Sequence, residues 1–145
     1  MATQTGFLSF IRNQMGITIA QLPDASSDIA TAYNMAIETV NTSFAYLAPL
    51  SYDQMIYNWA ADYLLNNAID QPGQTFFTTT RQTLKLNNFV AGVIPSASDE
   101  GTSVGIKTAN QFDDFTINDL QHLKTTYGRE YLRIAQKYGN LWGIS

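Results

Sequence analysis

The chain contains no cysteine, which excludes disulfides, thiolate metal sites and cysteine nucleophiles while leaving the redox compartment open. It has one histidine, His122, so a histidine-rich metal site and a histidine pair are excluded too. Charge is scarce. Charged residues make up 14% of the chain, against about 25% in an average soluble domain. Phosphate binding draws on clustered cations. Here 8 Lys and Arg are scattered along a chain of net charge −4, so tight nucleic-acid binding is not expected. No apolar run approaches the ~20 residues of a membrane helix. Residues 1–16 lack a basic segment followed by an apolar one, so a soluble, unprocessed chain without membrane contact is expected.

What is present is apolar and aromatic. Hydrophobic residues form 45% and aromatics 12% of 145 residues, enough for one core at ordinary domain size. Residues 1–145 are therefore expected to form one domain. Much of the surface must be Thr, Asn, Gln, Ser and Tyr. A surface poor in Lys, Glu and Asp but rich in Tyr, Trp and Phe is what buried interfaces have, so extensive burial against partners is expected.

Phe7, Leu8, Phe10, Ile11 and Met15 recur at helical spacing before Gly16, predicting a short first helix. Ile17 to Pro23 reads as an extended connector, because Pro23 disfavours helix at Leu22. Ser26 or Ser27, with Asp28, can start a second helix whose apolar face is Ile29, Tyr33, Ala36, Ile37, Val40 and Phe44. Ser51-Tyr52-Asp53-Gln54 has the form of a capping box, ahead of Met55, Ile56, Trp59, Ala60, Tyr63, Leu64 and Ala68. Residues 74–86 are read as a further helix despite the Thr78-Thr79-Thr80 run.

The apolar run Phe89 to Ile94, a polar loop from Pro95 to Ser103, and the alternation of Val104 and Ile106 predict two short strands. This hairpin or extended arm, residues 89–107, is suited to pairing with a neighbour. Thr116 with Asp119 can cap a last helical region, which Thr125-Thr126-Tyr127-Gly128 can interrupt. Its apolar face is Tyr131, Leu132, Ala135 and Tyr138, and Gly139 can stop it. An apolar tail, residues 139–145 with Leu141, Trp142 and Ile144, comes last. No helix face claims it, so it either folds back on its own domain or docks into another subunit. The fold class expected is mainly α: a small helical bundle with an arm ahead of the last helices.

No constellation points to chemistry. His122 lies between Leu120 and Leu123 on a predicted helix and lacks a Gly-x-Ser-x-Gly partner. Asp99-Glu100 and Asp113-Asp114 read as solvated or helix-flanking rather than as a glycosidase pair. Asp99-Glu100-Gly101 lacks calcium-loop spacing, and Gly101 to Lys107 lacks the phosphate-loop order. No catalytic residue, metal or cofactor is expected.

Three segments, in this order, resemble the tailed-bacteriophage head-to-tail connector proteins of the adaptor or head-completion class. They are the Trp-bearing Tyr57-Asn58-Trp59-Ala60-Ala61-Asp62-Tyr63-Leu64, the small-residue Gly92-Val93-Ile94-Pro95-Ser96-Ala97-Ser98, and Lys124-Thr125-Thr126-Tyr127-Gly128-Arg129-Glu130-Tyr131-Leu132. The acidic Asp99-Glu100-Gly101 departs from the pattern. The resemblance implies a virion structural protein at the head–tail junction, found in host cytoplasm before assembly. It implies a homo-oligomeric ring, commonly a dodecamer, that binds the portal protein and the next neck or tail component and lets DNA pass without specific contact. Portal binding is then expected of Tyr138, Leu141, Trp142 and Ile144. Inter-subunit contact is expected of Gly92, Val93, Ile94, Ser96, Ser98, Val104 and Ile106. Two other readings stand beside it: another neck component such as a stopper, which a predominantly β fold would favour, and a small helical enzyme or regulator, which a stable monomer with a deep acidic pocket would favour.

Overall fold

Ten residues of one 19-residue helix, Pro49–Asn67, are buried, and the other elements are arranged around it. A helix apolar on one stripe covers one neighbour, whereas one buried nearly all round sits inside a bundle. The computed structural model describes residues 1–88, 96–99, 102–105 and 117–138. Among them seven helices are seen: α1 Gln4–Asn13, α2 Ser27–Thr39, α3 Ser43–Leu47, α4 Pro49–Asn67, α5 Phe76–Thr83, α6 Ile117–His122 and α7 Thr126–Gln136. The protein is mainly α, as its periodicities require. Strands β1 Ser96–Asp99 and β2 Thr102–Gly105 pair antiparallel, with Ser96 opposite Gly105 and Asp99 opposite Thr102.

Helix α4 packs chiefly between α7 and α2. Its Ala60 and Ala61, both fully buried, let neighbouring backbones approach closely. Phe7 and Ile11 of α1, Ile29, Ala32 and Ala36 of α2, and Phe77 of α5 complete the core with Met55, Ile56 and Leu64. Burying side chains of this size stabilises a fold by about 1.5–3 kcal/mol each.

Local chemistry sets the helix ends. Thr3 accepts from the Gly6 N–H and Ser26 from the Asp28 N–H. Gly16 has φ +68°, a value that costs a side chain dearly and glycine little. Helix α5 has no side-chain cap at Thr75. Instead the Phe77 and Thr78 N–H groups donate to the Asp70 carboxylate at 2.7 and 2.8 Å.

Four expectations are corrected. Ile17 to Pro23 is a turn rather than an extended connector: Gln21 and Leu22 N–H both donate to the Thr18 carbonyl, and Ile17 and Leu22 are buried. Arg12 holds it, donating to the Ile17 and Leu22 carbonyls at 2.8 and 2.6 Å. Ser51 does not cap a helix, because Pro49 already occupies the first helical turn behind Ala48, where a missing N–H costs nothing. The second helix ends at Thr39, with Val40 extended, so Phe44 belongs to α3 and Ile37 is exposed. Strand β1 lies inside the stretch read as a polar loop, and β2 begins in that stretch and takes in Val104 of the expected second strand, while the expected first strand, 89–94, lies outside the described residues; backbone pairing does not require apolar side chains.

Candidate functional site

Two places could bear function: a buried polar cluster between α4 and the α6–α7 break, and an exposed apolar corner between α3 and α4.

The cluster centres on Asp62, buried on α4. His122 Nδ1, at the end of α6, lies 2.7 Å from Asp62 Oδ2. A carboxylate only accepts, so Nδ1 carries the hydrogen. Thr125, fully buried, donates its hydroxyl to Asp62 Oδ1 and accepts from the Gly128 N–H at 2.9 Å. It is thus both the N-cap of α7 and a tie to α4. A Cβ on Gly128 would lie 2.7 Å from the His122 carbonyl carbon and 2.8 Å from its Cα, so only glycine allows α6 and α7 to meet this closely. The Trp59 and Tyr131 rings flank the imidazole, at 6.2 and 5.4 Å between centroids. Burial, with the negative charge of Asp119, pushes the Tyr131 hydroxyl up to about 12.

A carboxylate holding an imidazole makes up two of the three members of a hydrolytic triad. The nearby Thr125 hydroxyl is spent on the carboxylate rather than turned to the ring. What the geometry does is fasten α6 and α7 to α4. Among the described residues no group of three His, Asp or Glu could hold a metal ion, and no helix is long and apolar enough to cross a membrane.

The corner is different in kind. Tyr46 and Leu47 close α3 and Leu50 opens α4, with side chains 89%, 63% and 83% exposed. One exposed leucine is ordinary, but here three large apolar side chains are exposed within five positions. Their neighbour Phe44 is buried and meets the Tyr138 ring edge-on at 5.5 Å. The Tyr138 hydroxyl donates to Ser51 Oγ at 3.0 Å. Tyr138, just past the end of α7, is therefore held against α3 and the first turn of α4.

The expected portal-binding residues divide accordingly. The ring of Tyr138 meets Phe44 and its hydroxyl meets Ser51 of its own chain. Leu141, Trp142 and Ile144 lie outside the described residues. Of the expected arm, Gly92, Val93, Ile94 and Ile106 also lie outside them, while Ser96, Ser98 and Val104 fall on the paired strands. Asp62, Thr125 and the corner residues were not expected to matter. Proline at 49 between Tyr46-Leu47 and Leu50 was the available signal, since it starts a new helix and turns those residues away from both apolar faces.

No protein-family model matches this chain, and no curated protein or solved structure matches it either.

Proposed function

We infer that the chain is a structural subunit of a phage neck, an adaptor ring member that joins portal to tail and acts by contact rather than by chemistry. The observation that carries this reading is the exposed corner of Tyr46, Leu47 and Leu50. An exposed stretch of large apolar side chains on a charge-poor domain suits a partner, since a few large buried side chains, Tyr and Trp among them, carry most interface energy. The net charge of −4 suits a lumen that DNA must slide past without adhering. Two of the segments that resemble adaptor proteins also meet in space: Asp62 of one accepts the Thr125 hydroxyl of the other. The paired strands at Ser96–Asp99 and Thr102–Gly105 offer edges to which a neighbouring copy can add.

The test is deletion of residues 141–145 in the otherwise full chain. Binding to the cognate portal ring should vanish while the far-ultraviolet circular dichroism stays helical. Undiminished binding would remove the tail from the interface.

A further inference from the structure

Half of the scarce positive charge falls late in the sequence. Of the 8 basic residues, Lys124, Arg129, Arg133 and Lys137 follow residue 120, with Glu130 the one acid beyond it. Arg129, Arg133 and Lys137 stand four apart along α7 and its C-cap and are exposed, so they line one outward side over about 12 Å. Helix α2 is the counterpart. It carries no Lys or Arg, and Asp28, Thr31, Met35 and Glu38, three and four apart, share the side turned away from its buried Ile29, Ala32 and Ala36. Its two carboxylates stand about 15 Å apart along the helix. Among the described residues neither has an ion-pair partner. Asp28 also lines a cavity of about 120 Å³ with Thr31, Tyr63 and Asn67. The Asn67 amide nitrogen donates to the Tyr63 carbonyl, which leaves its oxygen as an acceptor, and the negative end of the α4 dipole lies here. The cavity is well below the roughly 300–1,000 Å³ of a small-molecule pocket. It suits the cationic head of one side chain.

We propose that copies of this chain associate head to tail, the α7 stripe of one seated on the α2 side of the next. Lys137 enters the Asp28 cavity and Arg129 meets Glu38, an antiparallel pairing that the two helix dipoles favour. Lys137 is the freest of the three cations, since Arg129 donates to the Leu123 carbonyl and Arg133 to Glu130. Both helices pack on α4 and turn different surfaces outward. The contact is therefore heterologous and repeats from copy to copy until a ring closes. Opposite charges set its register, and Met35, 38% exposed, gives the arginine stems an apolar seat. This deepens the adaptor reading and rests on it only for closure into a ring. Duplex DNA suits the stripe less well, because Glu130 stands within it and would face the phosphates.

The lack of cysteine makes the test clean. Full-length Asp28→Cys and Lys137→Cys chains are mixed and treated with a short bismaleimide, in free solution and on a purified portal ring. The mixture should give dimers joined from position 28 to position 137, several-fold above the dimer yield of either chain by itself. Equal yield from one chain alone, or no 28–137 product in either setting, overturns the proposal. A charge exchange supplies the second readout, the yield of the corresponding cross-link between Glu38→Cys and Arg129→Cys chains. D28K or K137D alone sets like charges together and should cut that yield about tenfold or more, and D28K/K137D should restore it, which a misfolded variant would not do. Single variants without effect, or a double variant no better than either, overturn the proposal. So does a K137D chain that loses binding to a fluorescent DNA duplex while keeping the 38–129 yield, an outcome that gives the stripe to DNA. If the 28–137 product forms but no chain enters a portal ring, the contact stands and the adaptor reading fails. Entry into the ring without that product means the reverse.

Discussion

Gly128→Ala reverses a rule of helix stability, and the reversal can be measured. In an unobstructed helix interior, alanine is favoured over glycine by about 1 kcal/mol. At Gly128, inside α7, the added methyl would meet backbone, 2.7 Å from the His122 carbonyl carbon and 2.8 Å from its Cα. Backbone cannot rotate aside as the tip of a side chain can. Either α6 or α7 must move, an overpacking strain of about 1–3 kcal/mol. The movement also draws His122 from Asp62, which it meets at 2.7 Å; a hydrogen bond to a charged group contributes about 1.5–3 kcal/mol. Set against the propensity gain, the net loss is about 1.5–5 kcal/mol. Urea unfolding followed by circular dichroism should show a midpoint lowered by roughly 1 M or more with an unchanged slope. The melting temperature should fall by about 5–16 °C for a domain of this size. A midpoint at or above that of the parent would mean that α6 and α7 do not meet at Gly128, and the buried cluster would lose its structural role with it.

Asp62→Ala should cost about 2–3 kcal/mol, because the buried Thr125 hydroxyl and the His122 ring both lose their acceptor; chemical denaturation checks it, and an effect under about 0.5 kcal/mol would refute it. Burial alone would raise the Asp70 carboxyl, but hydrogen bonds from the Thr78 hydroxyl and from the Thr78 and Phe77 N–H groups, with Arg81 nearby, hold it below the usual carboxylate range. A depressed folded value means stabilisation present above the unfolded value near 4 and lost as the pH falls through the folded one. Asp70→Ala should therefore weaken the fold at neutral pH, by about 1 kcal/mol for a lost cap, and much less at pH 2. Tyr131 has the opposite sign. Its hydroxyl is raised to about 12, so its contribution is whole below pH 10 and fades between about 10 and 12. Ultraviolet titration should find a tyrosine that ionises near pH 12 and is absent in Y131F.

Periodicity made most of the helices legible. Ile29, Tyr33 and Ala36, then Met55, Ile56, Trp59 and Leu64, are buried as their spacing requires, and the break at Thr125 is where Thr and Gly signalled it. Local patterns misled where a neighbouring residue overrode them. Ser51 with Gln54 has the spacing of a cap, but Pro49 starts the helix earlier and frees the Ser51 hydroxyl for Tyr138. Asp70 caps α5 from seven positions before Phe77, outside any capping template. The polar cluster could not be read at all. Asp62 and His122 stand 60 residues apart, and only packing of α7 on α4 joins them. Gly128 read as an interruption, whereas the reason for glycine there is the carbonyl of a helix that precedes it. The corner was hidden for the converse reason, since a search for apolar stripes passes over apolar residues that no stripe uses.

The adaptor reading meets its most direct test in the mass of the full-length chain, measured by light scattering or native mass spectrometry with and without a purified cognate portal ring. The chain should join the ring in a stoichiometry set by the ring's symmetry, and the chain lacking residues 141–145 should stay apart. A full-length chain that never enters the portal complex at any concentration tried would contradict the reading.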